Sequence, residues 1–94
     1  MTGLGPQEKL LIGRWNVEEG MVAEDNVCLR IRELVESYLT KVATDTSGWD
    51  VLYLDPADGR YWERILPSSE MHGGGPPTLR NISLEVARRK YGLQ

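Results

Sequence analysis

The sequence contains no phenylalanine, one cysteine and one histidine among its 94 residues. A single cysteine, Cys28, excludes an internal disulfide. Cys28 and the one histidine, His72, are too few for a structural zinc site, which takes four ligands. Three Trp and four Tyr must therefore supply all the large aromatic packing of the core. We expect Cys28, on the apolar side of a helix start, to be a small buried hydrophobe, and we expect no cofactor.

Long apolar segments are also missing. No run approaches the roughly 20 residues of a membrane span, and residues 1–13 lack the basic start and the small-residue cleavage site of a signal peptide. Together with the cysteine content, this predicts a cytoplasmic protein in a reducing compartment. A chain of this length makes one domain with a modest core and little room for a deep cleft.

Positive charge is scarce except near the C-terminus. The formal net charge is −3, although Arg88, Arg89 and Lys90 face only Glu85 in the last twelve residues. The preceding chain is therefore more acidic than the net charge indicates. Such a surface repels a nucleic-acid backbone and attracts a basic partner, although mildly acidic proteins are common without any such partner.

The clearest local pattern is an amphipathic helix that follows a capping residue, Asp25 or Asn26. Its apolar side chains recur at spacings of three and four and include Val27, Ile31, Leu34, Val35, Tyr38, Leu39 and Val42. This pattern predicts a helix of about four turns. A second, short helix is predicted over residues 84–91, capped by Ser83 and closed by Gly92.

Strand and turn signals fill the rest of the chain. Glu18, Glu19 and Gly20 separate two short apolar stretches and predict a β-hairpin. A second hairpin turns at residues 55–59, with Trp62 and Tyr61 on opposite faces of its returning strand. A last strand is predicted at residues 78–82, whereas residues 6–12 fit a short helical turn.

These elements predict an α+β fold, with an antiparallel sheet of about four to five strands, one long amphipathic helix and a short C-terminal helix, both helices on one face. We expect residues 1–12 to be a partly flexible N-terminal segment and residues 13–94 to be the single domain. A monomer is the expected state.

Candidate chemistry is sparse. His72 with Gly73–Gly75 resembles the oxyanion loop of esterases, but the nucleophile elbow those enzymes need is absent from the sequence. The same glycines could form an anion-binding nest, yet no Lys, Ser or Thr follows at P-loop spacing. Asp55 and Asp58 lack the alternation of a calcium loop. A small enzyme or anion-binding module built on His72 remains the alternative to a protein that only binds a partner.

Three segments resemble the immunity protein 27 family: GWDVLY at residues 48–53, DPADGRYWE at 55–63 and PSSEMHGGGPP at 67–77. The similarity extends over about residues 13–91. It implies a bacterial immunity protein of a polymorphic-toxin or contact-dependent-inhibition system. Such an antitoxin binds the C-terminal domain of its cognate toxin in the cytoplasm and blocks it without catalysis. The family supplies no catalytic residues to transfer to this chain.

The toxin-facing surface is predicted on the acidic, aromatic side of the molecule. Acidic groups raise the association rate of a basic partner such as a nuclease, and an outward aromatic anchors the interface. The predicted partner-binding residues are Glu18, Glu19, Glu24 and Asp25 for steering, with Asp58, Trp62 and Glu63 nearer the centre. We also expect the loop at residues 67–77 to be ordered, since its prolines restrict the unfolded chain.

Overall fold

The computed structural model describes residues 3–18, 20–67 and 75–93. The strands in chain order are β1 (Leu10–Ile12), β2 (Trp15–Glu18), β3 (Met21–Glu24), β4 (Thr40–Thr44), β5 (Val51–Leu54), β6 (Tyr61–Ile65) and β7 (Thr78–Ile82). The helices are α1 (Asn26–Ser37) and α2 (Leu84–Tyr91). Neither helix is long and apolar enough to cross a membrane, within the part of the chain that is described.

Five of these strands form one antiparallel sheet in the order β1-β7-β6-β5-β4, and β2 and β3 form a separate two-stranded hairpin. The predicted α+β class, with a longer and a shorter helix on an antiparallel sheet, is confirmed. Both predicted hairpins are present, and Gly20 and Gly59 take positive φ at their turns. Ser83 caps α2 and the left-handed Gly92 ends it, as predicted.

Helix α1 ends earlier than its apolar spacing predicts. Asp25 caps its start, but the helix stops at Ser37, and residues 40–44 pair with β5 instead of continuing the helix to Val42. The sequence TKVAT alternates β-branched residues, which pack well on a pleated surface. A register shift between Lys41 and Ala43 leaves Val42 as the extra residue of a bulge.

The N-terminal chain also differs from its prediction. Residues 10–12 form an edge strand rather than a helical turn, and Leu11 lies opposite Leu79. Arg60 holds this segment on the sheet, because its guanidinium donates to the carbonyl oxygens of Gly5 and Glu8 at 2.9 and 2.7 Å. The division into residues 1–12 and 13–94 stays a prediction.

The two helices cover opposite faces of the five-stranded sheet, so the expectation that they share one face is wrong. Ile31 and Leu34 of α1 belong to the same core cluster as Trp62. The next residue, Glu63, accepts a hydrogen bond from the Tyr91 hydroxyl of α2. Because successive strand residues point to opposite faces, β6 has α1 on one side and α2 on the other.

The turn between β5 and β6 is organised by a buried carboxylate. Asp55 is completely buried and accepts hydrogen bonds from the Ala57 backbone N–H at 2.8 Å and from the Tyr38 hydroxyl at 2.7 Å. Tyr38 is the C-cap of α1. The end of the helix and this turn are therefore tied together at one end of the sheet.

Candidate protein-binding surface

Two of the predicted steering residues lie where the β2–β3 hairpin meets α1. The Asp25 side chain accepts a 2.8 Å hydrogen bond from the Cys28 backbone N–H, and this bond lowers the pKa of Asp25. Glu24 is ion-paired with Arg32 of the helix. Both carboxylates therefore have a partner within the protein, which reduces the field they present to a toxin without removing it.

The other two steering residues belong to the hairpin turn. Glu18 is the last residue of β2, and its backbone pairs with that of Met21. Glu19 lies outside the described residues. Asp25 is acidic at a helix N-terminus, where a negative charge is favourable without any partner. This reason does not apply to Glu18 or Glu19, because both precede the strand that leads into α1.

Asp58 does not join this group. It lies in the turn before β6, whereas Asp25 is tied through Arg14 and Gly13 to Pro77, beside the far end of that strand. A five-residue strand spans about 16 Å, so the two acids are at opposite ends of the sheet. Hydrogen bonding to the Arg60 backbone N–H, and then to its guanidinium, lowers the pKa of Asp58.

Trp62 is completely buried, and the expectation that it faces outward as an anchor is wrong. It belongs to the core cluster between α1 and the sheet, with the Arg60 guanidinium 4.9 Å from the centre of its ring. The period of two correctly separates Trp62 from Tyr61, but it cannot show that both faces of β6 are covered. In a chain without phenylalanine, the largest side chain fills the centre of the core.

Glu63 is also completely buried, although it was predicted to lie near the centre of the toxin-facing surface. Glu63 lies opposite Arg80 on the neighbouring strand, and the Arg80 Nε donates a 2.8 Å hydrogen bond to its carboxylate. Lys90 forms an ion pair with Glu63 and with Asp50. Burial alone raises the pKa of Glu63, but hydrogen bonds from Lys90, Tyr91 and Arg80 outweigh it and leave the pKa lowered. Glu63 therefore fixes α2 to the sheet.

Trp15 is the first residue of β2. It is half-buried at the base of the hairpin and borders two grooves. The first, of about 380 Å³, lies between the hairpin and α1 and is lined by Trp15, Glu24, Cys28, Ile31, Arg32, Val35, Glu36, Arg64, Leu66, Gly75 and Pro77. The second, of about 420 Å³, is lined by Ile12, Gly13, Arg14, Trp15, Pro67, Pro76 and Thr78.

Two further exposed side chains were missed by the sequence reasoning. Met21 is 73 % exposed at the start of β3, and Trp49 is 48 % exposed just before β5. A period of two along the chain would group Trp49 with Val51 and Tyr53, which are buried. The strand begins only at Val51, so the alternation does not extend to Trp49.

His72, Gly73 and Gly74, on which the enzyme and anion-binding alternatives depend, lie outside the described residues. The prediction that the loop at residues 67–77 is ordered also falls largely on residues outside them, 68–74. Gly75 is buried with a φ of 77°. No group of three His, Cys, Asp or Glu side chains that could hold a metal ion occurs in residues 3–18, 20–67 and 75–93. Cys28 is fully buried, as predicted, and donates to the Arg14 carbonyl oxygen at 3.3 Å.

Comparison with known proteins identifies a family for this chain. Neither a curated protein nor a solved structure shows significant similarity to the chain. The profile of the family described as Immunity protein 27 matches residues 17–83, which include the second half of β2, strand β3, α1 and strands β4 to β7. This match covers well over half of the sequence, and the chain belongs to the immunity protein 27 family.

Proposed function

We propose that this protein binds a cognate bacterial toxin domain in the cytoplasm of the cell that makes the toxin, and that binding neutralises the toxin. Family membership is the observation that carries the proposal. Inhibition then follows from occupancy of a protein–protein interface, with no turnover and no cofactor, and one immunity monomer binds one toxin domain.

The charge of the chain supports a basic partner such as a nuclease domain. The net charge is −3, and the hairpin and the start of α1 carry Glu18, Glu19, Glu24 and Asp25. A local negative field raises the association rate for a positively charged protein. Asp58, at the opposite end of the sheet, would belong to a separate contact region. Trp62 and Glu63 are buried and are not part of the proposed contact surface.

Co-expression tests the proposal directly. The toxin candidate is the C-terminal domain encoded by the large gene expected immediately upstream. We expect that domain to stop growth when expressed alone, and this protein to restore growth and to co-purify with it at equal stoichiometry. Failure to restore growth, together with no complex on size-exclusion chromatography, would contradict the proposal.

Electrostatic steering has its own measurement. Glu18→Lys changes the charge of the hairpin, and Glu85→Lys makes the same change on α2, where the glutamate side chain is 82 % exposed. We expect Glu18→Lys to slow association with the toxin domain and to flatten its dependence on salt, since steering acts mainly on the association rate. Equal effects of the two substitutions would show that steering is not local to the hairpin.

A further inference from the structure

The β2–β3 hairpin has one face turned toward α1 and one open face. Its strands pair only with each other among the described residues. Trp15 lies opposite Glu24, Asn16 opposite Ala23, and the backbone of Met21 opposite that of Glu18. By the period of two, Trp15 and Glu24 share one face, and Asn16, Met21 and Ala23 share the other.

The face with Trp15 and Glu24 is turned toward α1. Both residues line the groove that the helix borders, and Glu24 pairs with Arg32. The base of the hairpin is closed by the Asp25 backbone N–H, which donates to the Arg14 carbonyl oxygen at 3.1 Å, and the chain before it is held to the sheet by the Gly13 N–H, which donates to the Pro77 carbonyl oxygen at 2.8 Å. A two-stranded hairpin is marginal by itself, so these contacts set its position on the domain.

The other face meets solvent. Asn16, Met21 and Ala23 are all exposed, and Met21 is the most exposed of the large hydrophobic side chains that the structure describes. Methionine is unbranched and polarisable, which suits it to fill an irregular apolar pocket on another protein. The hairpin therefore has a fixed base and an open face from which an apolar side chain protrudes. These are features of an element that binds another protein.

The negative charge of the hairpin indicates the charge of the surface that it binds. From Trp15 to Asp25 the chain carries four acidic residues and no lysine or arginine. One of them, Glu24, is paired with Arg32. A complementary surface is therefore cationic at its rim, with an apolar pocket where Met21 enters.

We propose that the open face of the β2–β3 hairpin docks into a concave, positively charged surface of the toxin domain, with Met21 as its apolar anchor. This inference rests on the proposed function and adds to it the element that binds and the chemistry of the site it enters. The occupant is the toxin domain, not a second copy of this chain.

Substitutions on the open face test the inference in the full-length protein. Met21→Ala removes the anchor, and Ala23→Arg adds bulk and positive charge to the same exposed face. Leu84→Ala, at a 44 % exposed position on α2, and Thr40→Arg, at an exposed position on β4, are the matched controls. The probe is the purified toxin domain from the upstream gene, measured by calorimetry, with circular dichroism to verify that each variant is folded.

We expect Met21→Ala to weaken binding about tenfold or more, as loss of an interface anchor does. We expect Ala23→Arg to weaken it about a hundredfold, because the arginine clashes with a cationic surface. Both controls should bind within about twofold of wild type.

Different results overturn the two proposals separately. If the wild type binds the toxin domain and the folded hairpin variants bind equally well, the docking inference is wrong while the proposed function stands. If the wild type does not bind the domain at all, the proposed function fails, and this inference fails with it. If the protein alone sediments as a dimer that Ala23→Arg dissociates, the open face binds a second copy, which also overturns the inference.

Discussion

The hydroxyl of Tyr91, in the last turn of α2, donates a 2.7 Å hydrogen bond to the fully buried carboxylate of Glu63 in the middle of β6. The bond joins the C-terminal helix to the centre of the sheet. Burial, followed by the bond to Glu63, raises the pKa of Tyr91, so the hydroxyl stays a donor throughout the neutral range. The contact makes α2 an integral part of the fold.

Tyr91→Phe should lower the free energy of unfolding by about 1–3 kcal/mol, the usual effect of losing a hydrogen bond to a buried charged group. The matched control is Arg89→Ala, which breaks a surface pair with Glu85 and should cost at most about 0.5 kcal/mol. Urea denaturation followed by circular dichroism measures both. Equal effects would mean that the Glu63 bond contributes nothing beyond a surface contact.

Trp62→Ala should destabilise the fold by about 3–5 kcal/mol, because it leaves a large cavity in the core. Trp49→Ala, at a half-exposed position, should cost about 1 kcal/mol or less. Tryptophan fluorescence gives a second readout: the Trp62 indole should emit at shorter wavelength than Trp49. A stable Trp62→Ala variant that loses only toxin affinity would contradict the buried position of this side chain.

Gly13→Ala should cost about 1–3 kcal/mol through overpacking. A Cβ at this position would come within 2.6 Å of the Cys28 Sγ and within 2.7 Å of the Pro77 carbonyl oxygen, which also accepts the 2.8 Å hydrogen bond from the Gly13 N–H. Gly5→Ala is the control, since its Cβ would approach only the Glu8 side chain, at 3.4 Å. Thermal unfolding compares the two; similar midpoints would show that the chain crossing at Gly13 can relax.

Acid should weaken the fold partly through Glu8. Its hydrogen bond from Arg30 lowers the pKa of this glutamate from 4.5 to about 2. A carboxyl with a lowered folded-state pKa contributes stability above pH 4.5, and that contribution is lost as the pH falls toward 2. Glu8→Gln should therefore flatten the loss of stability in this pH range.

The interaction between Glu8 and Arg30 can also be tested by changing Arg30. Arg30→Gln should move the pKa of Glu8 back toward 4.5, and Glu8→Gln should then have little further effect on the acid limb. Carbon-detected NMR titration of the Glu8 carboxyl gives the pKa directly. A Glu8 titration that is unchanged by Arg30→Gln would contradict the assigned cause.

The sequence predicts most elements here, because turn residues and apolar spacing are local signals. It fails at the end of α1, where Tyr38 and Leu39 satisfy the helical spacing although the helix has already ended at Ser37. Leu39 is nevertheless buried in the core cluster. An apolar residue can face the core from a helix or from the connection after it, so spacing alone cannot fix that boundary.

The candidate surface is harder to predict because exposure depends on elements that are distant in sequence. Trp62 is covered by α1 and Glu63 by α2, and both helices are distant from these residues in the sequence. The acidic hairpin is recognisable from its composition, and its turn was predicted correctly. Its open face could not be predicted, because that depends on how the hairpin packs against α1.

The alternation of Trp62 and Glu63 under two different helices has a consequence for folding accuracy. If β6 slipped by one residue against its neighbours, the indole would move under α2 and the carboxylate would move under α1. Lys90 and Tyr91 would then lose their acceptor, while an unpaired charge would enter the apolar layer around Ile31 and Leu34. The slipped pairing would be destabilised on both faces of the sheet, so the contacts with α1 and with α2 each favour the native register of β6.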